Sequence, residues 1–318
     1  MRAEEVKKHA IDCGFDLAGV VAAVPLPEAE FYAEWVRRGM AGEMRYLTDR
    51  RADMRADPRS LLPSARSIIC VGKLYNGPQP YSTRFSEPER AWISRYAWGS
   101  DYHDVLRHGL ERLAAQLEAG AGEPFEWKAV VDTAPLLERA YARRAGLGWI
   151  GKNTCLIREG AGSWFFLGEL LVALALEPDS PPPDRCGTCT QCIEACPAGA
   201  LVTTGREHPA WALDSRLCIS YLTIELRGPV PGPLQAAAGR HVFGCDICQD
   251  VCPWNRDAPL TADPAFRART FAPLIEKLAA LSAEEFRQMF AGTPVERSRY
   301  EGFRRNVAIA LANLRGTR

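Results

Sequence analysis

The segment Cys186-Gly187-Thr188-Cys189-Thr190-Gln191-Cys192-Ile193-Glu194-Ala195-Cys196-Pro197 places four cysteines at spacings of three, three and four. Three thiolates that close on one loop wrap a single [4Fe–4S] cube, and a fourth that precedes proline reaches across to another cube. The spacing therefore demands a second cluster. Cys245-x2-Cys248-x3-Cys252-Pro253 supplies it, with Cys218 standing in for the missing member. Exchanging the distal cysteines gives one quartet of Cys186, Cys189, Cys192 and Cys252, and another of Cys196, Cys218, Cys245 and Cys248. Zinc is the competing reading, but it favours paired C-x2-C hooks, often with histidine, over a triple crowded on one loop.

Eight of the eleven cysteines lie between 186 and 252; Cys13, Cys70 and Cys155 are scattered elsewhere and read as small buried apolar residues. A secreted disulfide scaffold would spread its thiols through a short chain, so this is a metal-binding module inside a larger protein. The 318 residues are 47% hydrophobic and 25% charged, with 39 basic against 39 acidic side chains. Global disorder is excluded, and no whole-molecule field draws the chain to polyanions. The amino terminus shows no apolar signal region, and Leu170–Leu176 is far too short to span a bilayer, so a cytoplasmic protein without membrane contact is expected.

Upstream of the cysteines, helical and strand patterns alternate, as in an α/β domain. Leu106, Leu110, Leu113 and Leu117 form one stripe of a helix, Asp16–Ala22 and Ser67–Val71 read as strands, and Trp127–Val131 reads as a strand before a helix over Pro135–Arg144. Pro178-Asp179-Ser180-Pro181-Pro182-Pro183-Asp184 cannot continue helix or sheet, which marks a boundary. Three units are expected: 1–178, 179–258 and 259–318. The last reads as helices over Pro273–Leu281, Ser282–Phe290 and Tyr300–Leu314, with Ser282 and Glu285 as a capping box. Arg287, Arg297, Arg299, Arg304, Arg305, Arg315 and Arg318 stand there against Glu296 and Glu301, a net +5 that is either a phosphate-facing surface or a solvated helix face.

Two joined clusters pass single electrons, and a large attached domain argues for a redox site at the end of that path. Asp132 lies where strand meets helix, outside the carboxyl end of a strand, where open α/β sheets bind ligands. Between Val131 and Ala134 it would be desolvated enough to hold and donate a proton. By residue type alone, Asp132 or Thr133 capping the next helix is the stronger reading. No G-x-G-x-x-G or P-loop string occurs, so no dinucleotide or nucleotide site is indicated. Asp101-Tyr102-His103 opens like a corrinoid histidine loop, but Leu106 stands where that pattern needs glycine, so His103 is not expected as an axial ligand.

Several long motifs resemble the epoxyqueuosine reductase family. They are Arg55–Pro63, Arg95–His103, Val131–Arg139, Gly148–Thr154, Gly162–Glu169 and Cys218–Glu225, together with the eight-cysteine layout. The resemblance implies a nitroreductase-like, cobalamin-binding α/β domain, a bacterial-ferredoxin-like two-cluster module and a HEAT-like helical segment contacting tRNA. It implies reduction of epoxyqueuosine at the tRNA wobble position, with Asp132 as proton donor, which overrides the capping reading. For the corrinoid it points to Arg55, Arg95, Asp132, Ser220 and Asp246. A cellular one-electron reductant and a monomer are expected. The rival readings are a corrinoid reductive dehalogenase, which would carry a twin-arginine export signal, and a ferredoxin-type electron carrier, which would bind iron and sulfide but no cobalt.

Overall fold

The computed structural model describes residues 2–207 and 209–316. Its central sheet is built from β1 (Leu17–Ala22), β2 (Ser67–Leu74), β3 (Trp127–Val130) and β4 (Phe165–Val172), in the spatial order β1-β2-β4-β3. Every pairing is antiparallel: Val20 faces Ile69, Cys70 faces Glu169, and Val130 also faces Glu169. Helices and strands do mix as expected, but the rule for ligand crevices in parallel sheets does not apply to this one. Asp132 owes its position to the loop it occupies.

β2 and β4 lie in the middle of the sheet and are buried on both sides, so they read as near-continuous apolar runs. Ile69 and Val71 point to one face, where the helices Ala3–Asp12 and Tyr102–Ala121 bury Val6, Ala10, Leu106, Leu110, Leu113 and Leu117. Ile68, Cys70 and Leu74 point to the other, against Leu136, Ala140 and Tyr141 of the segment around the helix Glu138–Arg144. Each fully buried leucine contributes about 2 kcal/mol of transfer free energy, so this stripe alone ties its helix firmly to the sheet.

The expected helix over Pro135–Arg144 begins only at Glu138, with Leu137 as its N-cap. Neither Asp132 nor Thr133 caps it. Asp132 instead turns the chain with a positive φ of 49°.

A third core joins stretches far apart in sequence. Trp92, Ile93 and Trp98 pack with Val242, Phe243, Ile275, Phe286, Phe290, Phe303 and Val307. Trp92–Ile93 also pairs in parallel with His241–Phe243. The terminal helices are Ile275–Ala279, Ala283–Phe290 with the expected capping box, and Arg299–Gly316. Asn306, buried on the last of these, donates to the Thr223 and Val242 carbonyls at 2.7 and 2.8 Å and so fastens that helix to the cysteine-rich segment. Among the described residues, no helix is long and apolar enough to cross a membrane.

Candidate active site and cluster sites

Asp132 sits at the end of β3 with its side chain 51% exposed, so the expected desolvation by Val131 and Ala134 is absent. Its proton-bearing neighbour is His103, at the start of the helix Tyr102–Ala121. Nε2 of His103 lies 3.3 Å from Asp132 Oδ2, and Nδ1 lies 2.7 Å from Oδ1 of Asp101, the helix N-cap. Burial works against the imidazolium, but the bonds to Asp101 and then Asp132 outweigh it and push the His103 pKa up to about 9. Both ring nitrogens are thus committed to carboxylates. Below the loop, the Asp132 N–H donates to Glu138 Oε1 at 2.5 Å.

The surrounding side chains come from all three stretches of the chain. Burial raises the Tyr102 phenol, with Asp132 the next cause; the ring stacks on Phe166 at 4.3 Å. Burial likewise raises Tyr96, which feels Asp132, Glu225 and Asp246, and Tyr46, which feels Glu225 and Asp132. Arg297 reaches in from the C-terminal segment, lying 5.4 Å from the Tyr46 ring and gripping Glu225 through Nε and Nη2 at 3.1 and 3.2 Å. Asp132, Tyr46, Tyr96, Glu225 and Arg297 therefore lie within electrostatic reach of one another, with Asp246 acting on Tyr96 as well.

The eight thiols fall into two neighbourhoods. Cys192 has Cys252, Cys186 and Cys189 as its charged neighbours. Cys245 has Cys218 and Cys196, and Cys248 has Cys245 and Cys218. Among the described residues, no three His, Cys, Asp or Glu side chains are grouped so as to hold a single metal ion. Backbone N–H groups point at the sulfurs: Ala200 at Cys196 Sγ (3.3 Å), Ser220 and Tyr221 at Cys218, Ile247 at Cys245, and Trp254 at Cys252. Such donors favour thiolate over thiol and tune a cluster's potential, so this donor set fits two [4Fe–4S] clusters.

Several residues that the cysteine pattern could not reveal hold these loops. Lys152 Nζ donates to the carbonyls of Gly187 and Cys189 at 2.7 and 2.9 Å, and Asn153 Nδ2 donates to that of Cys248 at 3.2 Å. Trp149 packs edge-on to Trp254 beside Cys186 and Cys252. The motif Gly148–Thr154 thus clamps both loops. Cys155, expected to be a bystander, has its thiol next to that of Cys248. A cavity of about 250 Å³ bounded by Thr83, Arg84, Asp250, Cys252 and Arg256 adjoins the first neighbourhood, not Asp132.

The expected corrinoid contacts divide. Arg95 is 2% exposed, donates to the carbonyls of Gly77, Gln79 and Pro80, and lies against Tyr81, Trp98 and Trp164. Asp246 is 1% exposed and accepts from Trp92 Nε1, Ser94 Oγ and the Arg95 N–H. Arg55 is buried and donates to the carbonyls of Tyr46 and Arg51. These three side chains are engaged with the protein framework, and among the described residues the buried Nε of Arg95 has no hydrogen-bond partner. Ser220 is partly exposed and adjoins Cys218.

Two thiol neighbourhoods with sulfur-directed donors, in a chain that also pairs a carboxylate with an imidazolium, fit a double-cluster iron–sulfur oxidoreductase. A family model described as epoxyqueuosine reductase QueG matches residues 55–133, and one for a 4Fe-4S double cluster binding domain matches residues 185–255. The epoxyqueuosine reductase of Xanthomonas campestris pv. campestris is 40% identical over 99% of this chain and 88% of its own length. A crystal structure of epoxyqueuosine reductase with an epoxyqueuosine-modified tRNA-Tyr stem loop superposes with a TM-score of 0.85, at 31% identity over 98% of this chain and 81% of that one. A Bacillus subtilis epoxyqueuosine reductase, whose structure has its catalytic aspartate loop swung out of the active site, also gives 0.85, at 30% identity over 98% and 81% of the two chains. The chain belongs to the epoxyqueuosine reductase family.

Proposed function

We propose that this protein reduces the epoxycyclopentanediol of epoxyqueuosine, at the wobble position of tRNA, to the cyclopentenediol of queuosine. The carrying observation is Asp132 hydrogen-bonded to the His103 imidazolium in a chain that also gathers eight thiols into two neighbourhoods with sulfur-directed N–H donors. Removing the epoxide oxygen as water consumes two electrons and two protons. When bound, the two [4Fe–4S] clusters supply electrons singly, and cobalamin supplies the reducing centre directed at carbon. The corrinoid would be held by Asp132 and Ser220, whose side chains are at least partly exposed, and by Arg55, Arg95 and Asp246, whose buried side chains would keep the surrounding backbone in place.

The protein's own task is the proton. An epoxide oxygen leaves poorly as alkoxide, and a positioned acid is typically worth about 10² to 10⁴ in rate. The proton that Asp132 passes to the departing oxygen comes from Nε2 of the His103 imidazolium, which is protonated through neutral pH and steadied by Asp101 on Nδ1. The half-exposed carboxyl suits a group that must meet a bulky substrate directly.

Residues 1–178 form the catalytic, nitroreductase-like part in this reading, 179–258 the electron relay, and 259–318 HEAT-like helices that face tRNA. The substrate class is supported by the relative bound to a modified stem loop, and a wobble base in a single-stranded loop is accessible for extrusion. A cytoplasmic one-electron reductant acting on a monomer completes the proposal. The test is anaerobic incubation of reduced, cobalamin-supplemented protein with epoxyqueuosine tRNA, followed by mass spectrometry of the nucleosides. Conversion to queuosine is expected, and Asp132→Asn should abolish it while both clusters stay bound. Undiminished turnover by that variant removes Asp132 from the reaction.

A further inference from the structure

Under the Asp132 loop lie two carboxyls that the reaction as described does not use. Glu169, in the middle of β4, is wholly buried on the sheet face shared with Cys70. Among the described residues, no donor reaches either of its oxygens. Its partner is the carboxyl of Glu138, first residue of the helix Glu138–Arg144, whose stem is partly exposed and whose Oε1 takes the Asp132 N–H. Two carboxylates only accept hydrogen bonds, so a bond between them exists only when one carries a proton. A bare carboxylate sealed in the sheet without any donor would be very costly.

We propose that Glu169, in its acid form, donates a hydrogen bond to the Glu138 carboxylate, and that this pair is a positioning device for Asp132. It keeps the Glu138 oxygen under the Asp132 N–H and thereby fixes the left-handed turn that presents the Asp132 carboxyl to His103. Aspartate tolerates that backbone better than most residues, yet the conformation is uncommon and calls for an external hold. The inference rests on the reading of Asp132 as proton donor.

The groups facing the pair are Asp132, Arg139 and Cys70, with Tyr102 on the neighbouring helix and His103 beyond Asp132. Burial first, then the neighbouring carboxylate, push Glu138 up to about 8 and Glu169 well above the usual carboxyl range. The pair therefore keeps a proton through neutral pH. In more alkaline solution a further negative charge builds up beside Asp132, and the hold on the loop fails. Because these acids release protons more readily in the unfolded chain, the native state also loses stability as pH rises from the ordinary carboxyl range toward 8.

Glu169→Gln offers an amide N–H to Glu138 at every pH. Its turnover at pH 6–7 should stay within about threefold of native, while the alkaline fall near pH 8 disappears and its melting temperature at pH 8 exceeds the native one. Glu169→Leu, which removes the donor, should lose about tenfold or more across the profile with cluster absorbance intact. Infrared difference spectra of the native protein should show a protonated carboxyl at pH 7.5 that vanishes in Glu169→Gln. Should that variant fail to accumulate, Glu138→Gln serves, because an amide donor at 138 lets Glu169 ionise and removes the same band. No protonated carboxyl at pH 7.5, or an alkaline fall unchanged in Glu169→Gln, overturns the proposal. Undiminished turnover by Asp132→Asn instead overturns the reading beneath it and leaves the infrared result standing.

Discussion

His103 is held from both sides, by Asp101 on Nδ1 and Asp132 on Nε2, and that arrangement fixes its charge more firmly than either contact alone. With its folded pKa near 9 against about 6.5 in an unfolded chain, the stabilisation is complete below pH 6.5 and is lost as pH rises through 9. Asp132 is half exposed, so solvent screening limits the pair to about 1 kcal/mol. Replacing His103 by Gln should therefore lower the melting temperature most at pH 6, with the gap closing above pH 9. A constant gap across that range would mean that the ring acts by packing on Tyr102 and not by charge. For catalysis the same substitution should cost more than for stability, because Asp132 loses its local proton supply.

One corner shows how an element is fixed by contacts that no local pattern announces. Between the short strand Leu156–Ile157 and β4 the chain turns at Gly162, whose φ is +70° and where a Cβ would stand 2.2 Å from Asn255 Oδ1. Asn255, wholly buried, accepts from the Ser163 N–H at 2.7 Å and donates to Ser163 Oγ and the Gln249 carbonyl. It thus ties the start of β4 to the Cys248–Cys252 loop. Gly162→Ala should destabilise the protein by about 3 kcal/mol or more, from overpacking plus backbone strain, read by thermal unfolding. Bleaching of the cluster absorbance should accompany the transition.

That corner also explains what was legible beforehand. The helix stripe Leu106–Leu117 and the Ser282 capping box were readable because their signals lie within a turn or four of one another. The eight thiols stood out by spacing alone. The antiparallel order of the sheet, the late start of the helix at Glu138, and the roles of Lys152, Asn153 and Glu169 all depend on partners tens of residues away. A buried glutamate in an apolar run was the one visible hint, and only the fold shows what it faces.

At the scale of the whole molecule, the basic C-terminal segment is less uniform than its count of arginines suggests. Arg305 gives its guanidinium to the carbonyls of Leu222, Leu226 and Gly228, Arg297 is engaged with Glu225, and Arg287 with Glu284. Arg287 and Arg297 are exposed but ion-paired, whereas Arg299, Arg304 and Arg315 are exposed and form no ion pair among the described residues; Arg318 lies outside the described residues. If this face meets tRNA, the exposed cations not already ion-paired within the protein release counterions on binding, so the salt dependence of affinity should count them and not the full set. Replacing Arg299 and Arg304 together by Ala should weaken tRNA binding at every sequence and flatten the slope of log K against log salt by about one to two units. Arg305→Ala should do the reverse, lowering stability by about 2 kcal/mol through three stranded carbonyls while leaving that slope nearly unchanged. Filter binding from 50 to 300 mM salt beside thermal melts separates the two effects, and an unaltered slope in the double variant would move the tRNA surface away from this helix.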